Sequence, residues 1–430
     1  MGIPVRQLIE KLLFVLLTRV LAAMAMAAAS ALAQSAGQPL VPDSSPALGG
    51  PLIVDSTSHV VVMQYEAWFG PNAVTFQNAE AMPILQSEDM RGVGGGYDST
   101  DPRVIRQHIE WMKYMGVDAA LIDVSNNVGC IFSTGEVSSR FCNPADESFR
   151  KGNQTILSNT GNLYPAWSAL GTSLKLIPQL GCLSNLDLNI DGSGKSGLQQ
   201  EAEYFGKLME RYPKLNVEYQ GRPLMLIFMG VTPTNPLPAC PLSAVMKILK
   251  TSGLDKKYTF RIDAGYLDSQ PYYWANPDET PTGPVQIAPE YGFWSWVDRY
   301  KAAYALYPTY NATIPSSAKR VENFTASIAT AGENGWGCPP PTYCPDDALR
   351  YDGASYATWD DFMALADKLE PLFLIVHQFN EFTTPDEGWN ANTSGDIEPT
   401  QAPRGWGYGA LEAVHDRIER YRQETSDNHR

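Results

Sequence analysis

Basic residues and histidine are both scarce in this sequence: 32 Lys and Arg stand against 47 Asp and Glu, with only five His, for a formal net charge of −15 over 430 residues. Binding to a phosphate backbone needs a basic surface, so this balance excludes a nucleic-acid partner and leaves a neutral substrate open. Cysteine is limited to six, with no Cys-x2-Cys pair and no His-rich cluster, which argues against structural zinc. No His-Glu-x-x-His or Gly-x-Ser-x-Gly pattern occurs, and the glycines at 192, 194 and 197 do not directly follow a predicted strand as a dinucleotide-binding fingerprint must. Zinc proteases, serine hydrolases on a nucleophile elbow and nicotinamide enzymes are therefore set aside, and no organic cofactor is expected. Gly192-Ser193-Gly194-Lys195-Ser196 hints at a phosphate loop, but Asn189 stands where its first glycine should be. Beyond residue 33 no apolar run is long enough to span a bilayer, and no internal repeat is visible.

The N-terminus reads as a targeting segment. Arg6 and Lys11 precede Leu12–Leu17, an Ala-rich run follows, and Ala31-Leu32-Ala33 is a small-x-small cleavage site before Gln34. Arg19 interrupts the apolar stretch, which favours a cleaved signal over residues 1–33 against a retained anchor. The expectation is a secreted protein with no membrane attachment after cleavage. Asn-x-Ser/Thr sequons at Asn153, Asn311, Asn323 and Asn392 then predict N-glycosylation. An even number of cysteines in an oxidising compartment predicts disulfides. Proximity in sequence favours Cys338 with Cys344 and Cys130 with Cys142, leaving Cys182 with Cys240, one of several connectivities open to six cysteines.

Residues 34–57, rich in Pro, Ser and Gly, read as a linker. From 58 to 425, short apolar runs alternate with helical patterns. Strands are predicted at His59–Tyr65, Val117–Asp123, Leu174–Pro178, Leu224–Met229, Tyr258–Ile262 and Phe324–Ala329, with the clearest at Leu372–Phe379. A further strand falls at Val285–Ala288 or at Phe293–Trp296. Asp101-Pro102 opens a helix with Ile105, Ile109 and Met112 as its stripe, and Gly116 closes it. Other helices are predicted around Leu198–Arg211 and Leu242–Leu249, and a last one carries Leu411, Val414, Ile418 and Tyr421. About eight strands with helices between most of them predict an α/β fold, a single (β/α)8 TIM barrel rather than an open doubly wound sheet. A monomer is expected.

Barrels of this kind carry their chemistry at the C-terminal ends of the strands. The richest such stretch follows the last strand, from His377 through Asn380-Glu381 and Asp386-Glu387 to Trp389, then Asp396-Ile397-Glu398-Pro399. Cleaving a glycosidic bond needs two carboxyl groups around it, one to protonate the leaving oxygen and one to act as base or nucleophile. Glu381 and Glu387 are the predicted pair, with Asp386 and Glu398 as alternatives to the second; His377, Asn380 and Trp389 are expected to contact substrate. Asp123 with Asn126, Asp263 and Glu290 are further candidates near strand ends. With ten Trp and 11% aromatics, stacking on sugar rings is expected, with Tyr65, Trp68, Trp294 and Trp296 as candidates. Asp187-x-Asn189-x-Asp191-Gly192 matches the opening of a calcium loop, although its twelfth position is Leu198. A Ca2+ ion at Asp187, Asn189 and Asp191 is one reading, and an Asx-rich turn capping the next helix is the other.

Several of these stretches together resemble one family. Asn380-Glu381-Phe382, Glu387-Gly388 and Ile397-Glu398-Pro399 resemble the Asn-Glu-Trp-x-Glu-Gly…Leu-Glu-Pro signature of glycoside-hydrolase-family-99-like proteins. Tyr97–Pro102 and Gln64–Gly70 are similar to that family's motifs before the first helix and at the first strand, and Gly221-Arg222-Pro223 and Trp294–Asp298 fit similar places. The resemblance implies a retaining enzyme on an α-linked poly- or oligosaccharide, endo-acting on α-mannosides in the family's known members. It implies that Glu381 assists the sugar 2-hydroxyl in attacking its own anomeric carbon, and that Glu387 protonates the leaving group. Thr383–Asp386 makes the spacing between the two Glu longer than the family's. That departure keeps Asp386 and Glu398 open as the second group, and leaves a non-catalytic glycan-binding protein on the same barrel as the competing reading.

Overall fold

The computed structural model describes residues 49–125 (apart from 73, 77, 78 and 80), 147–181, 194–228, 242–263, 293–294, 320–327, 357–382 and 396–427 (apart from 403, 404 and 406). All of them fall within the unit Ala47–Arg430. The strands are β1 (Leu52–Val54), β2 (Val60–Tyr65), β3 (Ala119–Asp123), β4 (Lys175–Gly181), β5 (Val217–Tyr219), β6 (Arg222–Phe228), β7 (Thr259–Asp263), β8 (Phe293–Trp294), β9 (Asn323–Ser327) and β10 (Phe373–His377). The helices are α1 (Pro102–Tyr114), α2 (Glu147–Leu170), α3 (Gly197–Arg211), α4 (Leu242–Ser252), α5 (Leu254–Lys257), α6 (Ala357–Leu369) and α7 (Gly409–Asp427).

Setting aside β1 and β5, the strands form a parallel sheet in the order β8-β7-β6-β4-β3-β2-β10-β9. The last strand therefore lies beside the first of the series, with Phe373 opposite Val60 and Val376 opposite Met63. Alternate residues divide between two cores. Val61 and Met63, Ala120 and Ile122, Met225 and Ile227, and Leu374 and Val376 pack with apolar residues of every helix in one large cluster. Val60 and Val62, Ala119 and Leu121, Leu224 and Leu226, and Phe373 and Ile375 form a second cluster with Trp294 and Tyr219, to which no helix among the described residues contributes. Among the described residues helices thus cover one face only, whereas a doubly wound sheet is covered on both. Burial on both faces explains why β2, β3 and β10 read as continuous apolar runs rather than alternating ones.

Two local features differ from expectation. Leu52–Val54, inside the predicted linker, is a strand: β1 pairs with β5, which folds back antiparallel on β6. The Lys175 ammonium holds this corner by donating to the carbonyls of Gly50 and Lys214. Asn323 is fully buried in β9. An acceptor asparagine must reach solvent, so this sequon does not serve as a glycosylation site in the folded protein. Asn153 falls in α2, while Asn311, Asn392 and all six cysteines lie outside the described residues. Among the described residues no helix is long and apolar enough to cross a membrane.

Candidate active site

Three segments meet at the C-terminal ends of β2 and β10. Asn380, just past β10, clamps the backbone just past β2: its Oδ1 accepts from Glu66 N–H at 2.9 Å and its Nδ2 donates to the Glu66 carbonyl at 2.9 Å. The same Nδ2 donates to Tyr97 Oη at 2.9 Å. Tyr97 donates to Glu398 Oε2 at 2.7 Å, and His108 Nε2 meets Glu398 Oε1 at 3.3 Å. His108 Nδ1 lies 3.0 Å from Tyr65 Oη. The chain is buried along its length, so each partner replaces a lost water contact.

Helix α1 brings His108 into this chain. Asp101 caps it by accepting from Arg103 N–H at 2.9 Å, Pro102 occupies its first position, and His108 sits on the buried stripe with Ile105, Ile109 and Met112. The helix closes through bonds from Gly116 N–H to Lys113 and from Val117 N–H to Met112, with Gly116 at φ 79°.

Glu381 follows Asn380 and is half-buried. The next residue, Phe382, has φ 50°, a left-handed conformation uncommon for a bulky side chain. Two sets of contacts hold it there. Asp396 Oδ1 accepts its N–H at 3.1 Å, and its ring meets Phe69 and Phe76 edge-on at 5.7 and 5.2 Å. Phe69 and Phe76 stack at 4.1 Å. A Cβ on Gly96 would come within 2.1 Å of the Phe76 ring, so glycine is needed there for this packing.

Carboxyl groups gather at neighbouring strand ends. Glu66 is fully buried, and its pKa is pushed well above the usual range by burial first, then by Asp123 and Asp396. Burial pushes Asp123 up to about 6, opposed by the Ser125 N–H that donates to its Oδ1 at 2.6 Å. Glu201 on α3 accepts from Gly181 N–H at 3.1 Å and is likewise raised, chiefly by burial, with Asp123 adding to it. A Cβ on Gly181 would lie 2.0 Å from the Ser125 carbonyl, so glycine lets these two strand ends approach. Among the described residues no group of three or more His, Cys, Asp or Glu is arranged to hold a metal ion.

The predicted site residues fall into distinct environments. Trp68 is half-buried at the end of β2, its indole N–H donating to the Asp123 carbonyl at 3.1 Å. Tyr65 faces the helix side, against Trp167 and Phe379, rather than a cleft. Trp294 is fully buried, 4.7 Å from the Phe373 ring and donating to Glu322 at 3.1 Å, so it is a core residue and not a stacking platform. His377 is buried at the end of β10 opposite Ser327, and Asp263 ends β7 opposite Trp294. Glu398 is held by Tyr97 and His108 inside the protein, not displayed to a substrate. Asn126, Asp187, Asn189, Asp191, Glu290, Trp296, Asp386, Glu387 and Trp389 lie outside the described residues. Sequence reasoning passed over Glu66 and His108 as site residues, and considered Glu201 only as a ligand that could complete the calcium-like loop. A charged residue directly after the apolar run of β2 was the available signal for Glu66, and a histidine on the apolar stripe of α1 was the signal for His108.

No protein-family model and no curated protein matches the sequence. Among solved structures, the endo-α-mannosidase of glycoside hydrolase family 99 from Bacteroides thetaiotaomicron, in complex with bis-tris-propane, superimposes with a TM-score of 0.50 at 13% identity, covering 86% of this chain and 99% of that one. A second structure of that enzyme gives a TM-score of 0.49 at 12% identity, covering 86% and 99%. A protein described as glycoside hydrolase-like gives 0.45 at 12%, covering 88% and 98%. The first of these shows that the chain has a fold like that of the family 99 glycoside hydrolases.

Proposed function

We propose that the protein is a secreted, N-glycosylated glycoside hydrolase that cleaves an α-linked poly- or oligosaccharide, an α-mannoside or α-glucan, by a retaining mechanism. The observation that carries the proposal is the placing of Asn380-Glu381 at the C-terminal ends of β2 and β10, held by Tyr97 and Glu398 from two other resembling motifs. Tyr97 and Glu398, separated by 301 positions, meet each other and Asn380 beside these strand ends. The sheet closes into a single (β/α)8 barrel. Support comes from the β10–β2 pairing, the one-sided helices and the Trp294 bond from β8 to Glu322 beside β9.

In this reading Glu381 is the base that assists the 2-hydroxyl, and Glu387 protonates the leaving oxygen. The half-buried Trp68 is the described ring best placed to stack on a sugar. A Ca2+ ion at Asp187, Asn189 and Asp191 belongs to the same proposal, and a chelator should then lower the melting temperature. The test of function is a screen of the purified protein against α-mannan, α-glucans and N-glycan-derived oligosaccharides, read by mass spectrometry. Released oligosaccharides are expected. Folded protein that binds glycan and releases nothing would replace this reading with that of a glycan-binding protein.

A further inference from the structure

Asn380 precedes the residue on which the proposed chemistry depends, yet its own side chain has no donor left for a substrate. A carboxamide has two N–H donors. Here they go to the Glu66 carbonyl and Tyr97 Oη, and Oδ1 takes the Glu66 N–H. The Glu66 N–H and carbonyl settle which way round the amide sits, and Tyr97 takes its second N–H. Tyr97 has a single O–H and gives it to Glu398 at 2.7 Å, so towards Asn380 its oxygen accepts. The other Glu398 oxygen faces His108, whose second ring nitrogen faces Tyr65. Each link fixes the donor direction of the next, and Tyr97, His108, Glu398 and Asn380 are all buried.

We infer that Glu398 is a positioning residue acting through Tyr97: together they set the Asn380 amide, and so the approach of the Glu66 backbone and the placement of Glu381. The effect on turnover rests on the hydrolase reading; the effect on Asn380 does not. A carboxylate that reacted with substrate would have to be free to reach it, and both Glu398 oxygens are occupied inside the protein.

The imidazole in the chain provides a discriminating test. In Glu398→Gln the new amide oxygen still accepts from Tyr97. Its N–H2 faces His108, which accommodates it by exchanging tautomers and donating from Nδ1 to Tyr65 Oη. In Tyr97→Phe the acceptor for Asn380 and the donor for Glu398 disappear together. The experiment is kcat and KM for both variants on the glycan that the wild-type protein cleaves, with a crystal structure of each. For Tyr97→Phe the expected result is a fall in kcat of about 10–100-fold with KM within about 2-fold, and an Asn380 side chain shifted from its wild-type place as its second N–H loses its acceptor. For Glu398→Gln it is kcat within about 3-fold of wild type and Asn380 in place, the conservative change rescuing the position. An Asn380 unmoved in Tyr97→Phe overturns the inference. So does a loss beyond about 100-fold in a folded Glu398→Gln with Asn380 in place, which would make Glu398 a reacting group. Should Glu398→Gln not fold, Tyr97→Phe decides alone. Should the wild type cleave no glycan, the hydrolase reading fails, and the position of Asn380 in the two structures still decides this one.

Discussion

Asp123 shows how the fold controls a single proton. Its carboxyl is pushed from 3.8 up to about 6 because burial disfavours the charged form. The unfolded chain therefore releases this proton at a lower pH than the folded one. The group's contribution to stability is fully present below pH 3.8 and is lost as pH rises through about 6. Asp123→Asn keeps an oxygen for Ser125 N–H and never ionises. It should stabilise the protein at about pH 7 by up to roughly 3 kcal/mol and have no such effect near about pH 3.5, as read by denaturant melts at the two pH values. Asp123 was legible in the sequence because it closes an apolar strand. Glu201 was not: it sits on a helix with an ordinary polar pattern, and only the fold carries its carboxyl to Gly181 beside the end of β3. Tyr65 and Trp294 show the converse. Aromatic type alone does not say which face of a strand a ring occupies, and both rings pack in cores.

Elements were legible where local chemistry and tertiary burial agree. α1 carries its own start and stop signals, and the structure follows them. The Asp101 carboxyl is held down at about 2, chiefly by its bond to the Arg103 side chain. Asp101→Ala leaves Arg103 N–H without its cap and should cost about 1 kcal/mol, checked by the denaturation midpoint. Helix α2 gave no comparable signal. It contains Asn153, Asn159, Gly161, Asn162 and an internal Pro165, all poor helix formers. Packing supplies the reason for one of them: a Cβ on Gly161 would lie 2.2 Å from the Tyr204 hydroxyl of α3. The helix therefore gives up propensity for close approach to its neighbour. β1 and β5, at three residues each, are too short to show a period and exist through pairing alone.

At the scale of the whole molecule, the parallel order and the first-to-last pairing were legible in the alternation of strands and helices. The joining of distant motifs was legible only through resemblance, since no periodicity brings Tyr97 to Glu398. Burial also sorts the sequons. If the protein is secreted as proposed, peptide mapping should find glycan at one or more of Asn153, Asn311 and Asn392 and none at Asn323, which is fully buried. A glycan at Asn323 would mean that β9 is not a core strand. Glycan cleavage by Glu381 is tested most directly by comparing wild type with Glu381→Gln on the glycan identified by the screen. The amide keeps the shape of the carboxylate and cannot take a proton, so turnover should fall by more than about 100-fold while the melting temperature is held. A folded Glu381→Gln with wild-type turnover would contradict the assignment of Glu381.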